Sequence, residues 1–158
     1  TYFVVSHFHY VMVGGMVMAF FCGVHFWWPK MTGKLYPEWC GQLSALLIFG
    51  GFNATFFPQF ILGWVGMPRR YHSYPEEWAT LNVVSSIGAI FLGFSFLFII
   101  LYLIWSLFWG KKSPANPWGA KGLEWENCTS PPEPHNFHGV PVVTEEAYAY
   151  TGKETVDV

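Results

Sequence analysis

At 158 residues with a formal net charge of −2, the chain lacks the cationic excess that a nucleic-acid binder needs. Hydrophobic residues make up 53%, aromatics 21% and charged residues only 11%, far from the roughly 25% charged content of a soluble domain. No Asp, Glu, Lys or Arg occurs in residues 1–29, 39–68 or 78–110, and each run exceeds the roughly 20 residues that span a bilayer as a helix. A soluble fold with buried helices is disfavoured by those lengths. Cys22, Cys40 and Cys128 show no CxxC spacing, so neither a disulfide framework nor a zinc site is expected. Without an initiating Met, a basic leading region or a cleavage site, the first apolar run does not read as a signal peptide, and the chain is expected to be a piece of a longer polypeptide.

The first predicted span covers residues 2–28 and carries His7 and His9 within SHFHY. Ionisable groups inside a membrane helix point to function. Residues two apart are rotated by about 200° on a helix, so the two imidazoles leave nearly opposite faces. They cannot share one ion, as pairs three or four apart do. The spacing therefore offers one imidazole to each of two sites flanking the same helix, against the plainer reading of two interhelical hydrogen bonders. Gly14, Gly15 and Gly23 suit close approach of a neighbouring helix or a flat ligand. His25, beside Phe26, Trp27 and Trp28, reads as an interfacial histidine without a ligand role. Pro29 is expected to end the helix, leaving a polar loop over residues 30–38.

The second span, residues 40–64, embeds Gln42, Asn53, Thr55 and Gln59, which are expected to hydrogen-bond between helices. Pro58 should kink it and free the carbonyl of Ala54, with Thr55 or Gln59 compensating. A polar loop over residues 66–77 follows. The third span, residues 79–109, is apolar all round, with Gly88, Gly93, Ser85, Ser86 and Ser95 as small contact points and little chemistry of its own. Residues 1–112 thus read as a membrane domain and 113–158 as a polar, cytoplasmic-side tail. Within the tail, His135 and His138 read as solvated loop histidines, and residues 144–158 lack periodicity.

Three spans put Lys30, Lys34, Lys111 and Lys112 on one side, marking it cytoplasmic, or matrix in a mitochondrion. Arg69 and Arg70, the only arginines, fall on the other, where that rule disfavours them. An anionic partner is expected, either Glu76 and Glu77 or a ligand carboxylate, which the planar guanidinium fork suits.

The combination of SHFHY, the following VMVGG and the later MPRRY resembles the C-terminal part of subunit 1 of the haem-copper oxidases, in particular the bacterial cytochrome c oxidases. The likeness runs from Thr1 to about Trp109 and continues more loosely through GLEWENCTSPPEPHNF. It implies an all-α membrane fold, the last three helices of a twelve-helix bundle. It further implies that His7 is the axial ligand of a high-spin haem at the oxygen-reducing centre and His9 an axial ligand of a low-spin haem. Phe8 would lie between the haems, and Arg69 and Arg70 would bind haem propionates.

The cofactors implied are two haems, of haem a type, and a copper bound by residues outside this chain. The implied partners are the remainder of subunit 1, oxidase subunits 2 and 3, cytochrome c as electron donor and membrane lipid. Oxygen would be reduced to water with proton pumping, in a bacterial plasma membrane or a mitochondrial inner membrane. Copper ligands, the second low-spin ligand and the proton paths would lie before Thr1, so the isolated chain is expected to be inactive. His72 and Ser73 replace a commoner Ser-Asp pair near a calcium or sodium site of the family. A quinol oxidase of the same superfamily and a non-catalytic three-helix membrane anchor are the competing readings.

Overall fold

The computed structural model describes residues 1–137, 140 and 142; the expectations for His138 and residues 144–158 lie outside the described residues. Among the described residues three helices are long and apolar enough to cross a membrane: α1 (Tyr2–Thr32), α2 (Glu38–Trp64) and α3 (Ala79–Trp109), the last preceded by a 3-10 turn at Glu76–Trp78. A single further turn, α4 (Leu123–Glu126), lies beyond them. The described residues form no named strand, only one isolated antiparallel bridge between Lys34 and Lys112. The described residues are thus all-α, with three helices fit to cross a membrane.

The helices run up, down and up. At one end the Tyr2 amide donates to the Met67 carbonyl at 2.8 Å, joining the start of α1 to the loop after α2. At the other, the Leu35 amide donates to the Lys111 carbonyl at 2.8 Å and the Ser113 amide to that of Gly33 at 2.9 Å. α2 and α3 form the most extensive pair, and the first part of α1 packs on α2. Its last part meets α3 through stacked Phe21 and Phe96 and a 2.8 Å bond from Trp28 Nε1 to Ser106 Oγ.

Two features of α1 depart from the sequence reading. Pro29 does not end the helix, which continues to Thr32. A proline forfeits only the bond to the carbonyl four residues earlier, here His25, and the later turn is closed by other groups. Thr32 Oγ1 donates to the Trp28 carbonyl at 2.7 Å, and Gly33, at φ 68°, places its amide 2.9 Å from the Pro29 carbonyl. That left-handed cap is one glycine adopts without steric cost. The second departure is a π turn over Met12–Val17, where the weak helix formers Gly14 and Gly15 let the backbone widen.

Pro58 likewise sits inside an unbroken α2. Neither expected compensator serves the Ala54 carbonyl. Thr55 Oγ1 donates to the Gly51 carbonyl at 2.6 Å, and Gln59 Nε2 donates to Ser85 Oγ at 2.9 Å, which in turn donates to the Thr55 carbonyl at 2.7 Å. This chain of polar contacts accompanies the tightest crossing of α2 and α3. A Cβ on Gly88 would stand 2.5 Å from the Ala54 carbonyl carbon, whereas one on Gly93 would meet nothing within 4 Å. Small residues at such a point let backbones approach closely in lipid. Gly88→Val should therefore destabilise the helix pair by about 1–3 kcal/mol, the usual cost of overpacking. Gly93→Val should be close to neutral. Thermal denaturation of the detergent-solubilised protein checks both.

Candidate functional site

The first three turns of α1 carry the candidate site. Ser6 is fully buried, and its hydroxyl donates to the Phe56 carbonyl of α2 at 2.6 Å. One turn on, the Tyr10 hydroxyl donates to Asn53 Oδ1 at 2.8 Å. Positions four apart share a helix face, so these two bonds define the stripe that faces α2. The sequence reading did not single out either residue, although two hydroxyls four apart within SHFHY were the available signal.

His7 and His9 flank that stripe on either side, as follows from about 100° of rotation per residue. His9 is half-buried; its Nδ1–H donates to the Val5 carbonyl at 2.7 Å, which leaves Nε2 of the neutral ring as the free lone pair. The imidazole plane is held against Phe56, 4.4 Å away at 15°, and against Phe8, 4.2 Å away at 31°. His7 is exposed on the other side. Among the described residues no three His, Cys, Asp or Glu gather into a metal-holding group. Each imidazole can thus give one nitrogen to a metal whose remaining coordination comes from elsewhere.

The pair Arg69 and Arg70 follows α2 and is exposed. Met67, 3% exposed, anchors this loop: its carbonyl accepts from Tyr2, and Asn82 Nδ2 lies 3.5 Å from its sulfur. The arginines therefore stand at the His7 and His9 end of the bundle. Arg70 is the only non-glycine residue described with positive φ, at 68°. Neither arginine pairs with Glu76 or Glu77; the one ion pair among the described residues joins Lys121 and Glu126.

From Tyr10 and Asn53 a cleft of about 630 Å³ extends between α1 and α2, past Gly14, Met18 and Phe52, to His25 and Tyr36 at the lysine-bearing end. There His25 makes contacts that its reading as an interfacial histidine did not include: its Nδ1–H donates to the Phe21 carbonyl at 2.6 Å, and its Nε2 accepts from the Tyr102 hydroxyl. Ser44 Oγ lies 3.2 Å from the same hydroxyl. α3, read as chemically quiet, thus contributes Tyr102 to a polar cluster. Sequence spacing could not reveal a pair 77 residues apart.

Four similarities bear on this arrangement. The family model described as "Cytochrome C and Quinol oxidase polypeptide I" matches residues 1–91. "Cytochrome c oxidase subunit 1" of Cereibacter sphaeroides is 50% identical over 144 residues, 89% of this chain and 25% of that protein. The protein of the same name from Synechocystis sp. is 48% identical, over 90% of this chain and 26% of its own length. "Heme-copper oxidase subunit I+III" of Aeropyrum pernix is 41% identical over 99% of this chain and 20% of its own. The chain spans about a quarter of the length of the curated relatives it matches.

Tyr36, in the loop between α1 and α2, has its phenol pushed up to about 12 by burial, with Glu38 and then Tyr102 adding to the effect. The folded state therefore keeps a proton that the unfolded state loses near pH 10, and the associated stability, whole below pH 10, drains away as pH rises towards 12. In a phenolate absorbance titration, the step removed by Tyr36→Phe should lie near pH 12. A missing step near the ordinary tyrosine value would contradict this burial.

Proposed function

The chain belongs to the cytochrome c and quinol oxidase polypeptide I family, and from that membership we propose that it forms part of the catalytic subunit of a cytochrome c oxidase. His9 binds a low-spin haem iron and His7 the iron of the high-spin haem where oxygen is reduced. The observation that carries this reading is the divergence of the two imidazoles from one helix whose rotation is fixed by Ser6 and Tyr10.

The residues fit such groups. The Val5 carbonyl holds the His9 proton at Nδ1, a bond that fixes the tautomer and leaves Nε2 to face the iron. Phe56 and Phe8 hold the ring plane, and Phe8 keeps the two sites apart by bulk without ligating. Arg69 and Arg70 bind the propionates at the same end, through charge-assisted hydrogen bonds. The apolar cleft of about 630 Å³ beginning beside Tyr10 would take the hydrocarbon tail of a haem a. When bound, haem supplies the one-electron and oxygen chemistry, while the protein sets axial ligand, hydrogen bonding and burial. Copper, by this reading, is bound by residues outside the chain, as are the second low-spin ligand and the proton paths, so the chain by itself is inactive.

The rest of subunit 1, subunits 2 and 3, and cytochrome c complete the machinery, with protons moved across a bacterial plasma membrane. Residues 1–112 form the membrane unit and 113–158 its cytoplasmic-side extension. Relatives named as cytochrome c oxidases favour cytochrome c over quinol as donor.

In the intact oxidase, His9→Ala should alter the low-spin haem spectrum, whereas His7→Ala should abolish oxygen chemistry at the high-spin haem. Either substitution leaving both spectra and turnover intact would refute the assignment. Arg69→Gln and Arg70→Gln each remove a positive charge that favours the reduced haem. At roughly 10 Å and an effective dielectric of about 20 that charge is worth about 1–2 kcal/mol, so redox titration should find midpoint potentials lower by roughly 40–80 mV.

A further inference from the structure

Lys30, in the last turn of α1, has its ammonium buried: the residue is 5% exposed, and no carboxylate pairs with it among the described residues. A charge so placed is costly unless every donor is met. Its three N–H groups find three acceptors, the carbonyls of Ala115 at 2.8 Å, Cys128 at 2.8 Å and Thr129 at 3.3 Å. The Trp125 ring centroid lies 5.1 Å from Nζ, within cation–π range. Trp125 is 1% exposed, packs edge-on to Phe26 at 4.9 Å, and keeps its indole N–H without a hydrogen-bond partner, so ring contacts alone account for its burial. Trp118 Nε1 donates to the Phe26 carbonyl at 2.9 Å.

We infer that Lys30 is the pin that seats residues 113–136 as a folded cap on the end of α1. The three carbonyls come from two stretches of the post-α3 segment, before and after α4. Their oxygens converge on one point and would repel one another without a cation between them. One ammonium therefore ties both stretches to each other and to α1, and its position near the helix C-terminus also suits the helix dipole. The segment is held by a charge belonging to the first helix, and its seating is conditional on that charge.

Trypsin cleavage after Lys121 in the intact oxidase tests this. Lys30→Met keeps most of the stem and removes the charge; cleavage should quicken by roughly tenfold or more, the scale of losing hydrogen bonds to a charged donor. Lys30→Ala should behave likewise, and n-propylammonium, which replaces the missing atoms, should restore protection while n-propanol does not. The haem spectrum should remain unchanged throughout. Wild-type protection in Lys30→Met, or equal rescue by n-propanol, would overturn the inference. If these variants fail to assemble, hydrogen exchange of the wild-type oxidase decides: slow amides over residues 123–129 support a seated cap, and unprotected exchange there overturns it.

Discussion

The rotation of α1 about its own axis governs everything at the candidate site, and two hydrogen bonds to α2 set it. In lipid no water competes for the Ser6 hydroxyl or the Asn53 amide, so their partners on the facing helix define one angular position for α1. Given that position, His9 lies against Phe56 and His7 faces away, and α1 could not rotate to exchange them without breaking both bonds. The Val5 carbonyl adds the last constraint by choosing which His9 nitrogen keeps its proton.

The remaining architecture supports that rotation from a distance. Gly88 lets α3 press into α2 at Ala54, beside the Gln59, Ser85 and Thr55 contacts. α2 therefore offers α1 a braced surface. Met67 closes the same end by receiving the Tyr2 amide, which keeps Arg69 and Arg70 at the end of the bundle that carries the histidines. Immediately beyond the site the π turn widens α1, and Gly14 faces the Phe52 ring, which a Cβ there would only touch, at 3.4 Å. Local weakness of the helix thus coincides with the mouth of the cleft.

Much of this was legible in the residue pattern. Charge-free runs gave three spans because the bilayer imposes one length on all of them. The opposed histidines followed from helical rotation alone. What was not legible depended on contacts remote in sequence or on cooperative helix behaviour. Pro29 read as a stop because its lost bond is local, while the Gly33 and Thr32 groups that carry the helix onward act together. The π turn has no signature beyond a pair of glycines. His25 with Tyr102, and Lys30 with Ala115 and Cys128, are bound across 77, 85 and 98 residues, beyond any periodicity.

The central claim is that one helix, held in a single rotation, presents His7 and His9 to two different haems. An experimental density map of the intact oxidase tests it most directly. The account predicts two haem irons on opposite sides of α1, one bonded to Nε2 of His9 and the other to His7, with the Ser6 hydroxyl still on the Phe56 carbonyl. A map in which both imidazoles approach one metal, or in which either one is turned into protein contacts with no iron beside it, would contradict the account.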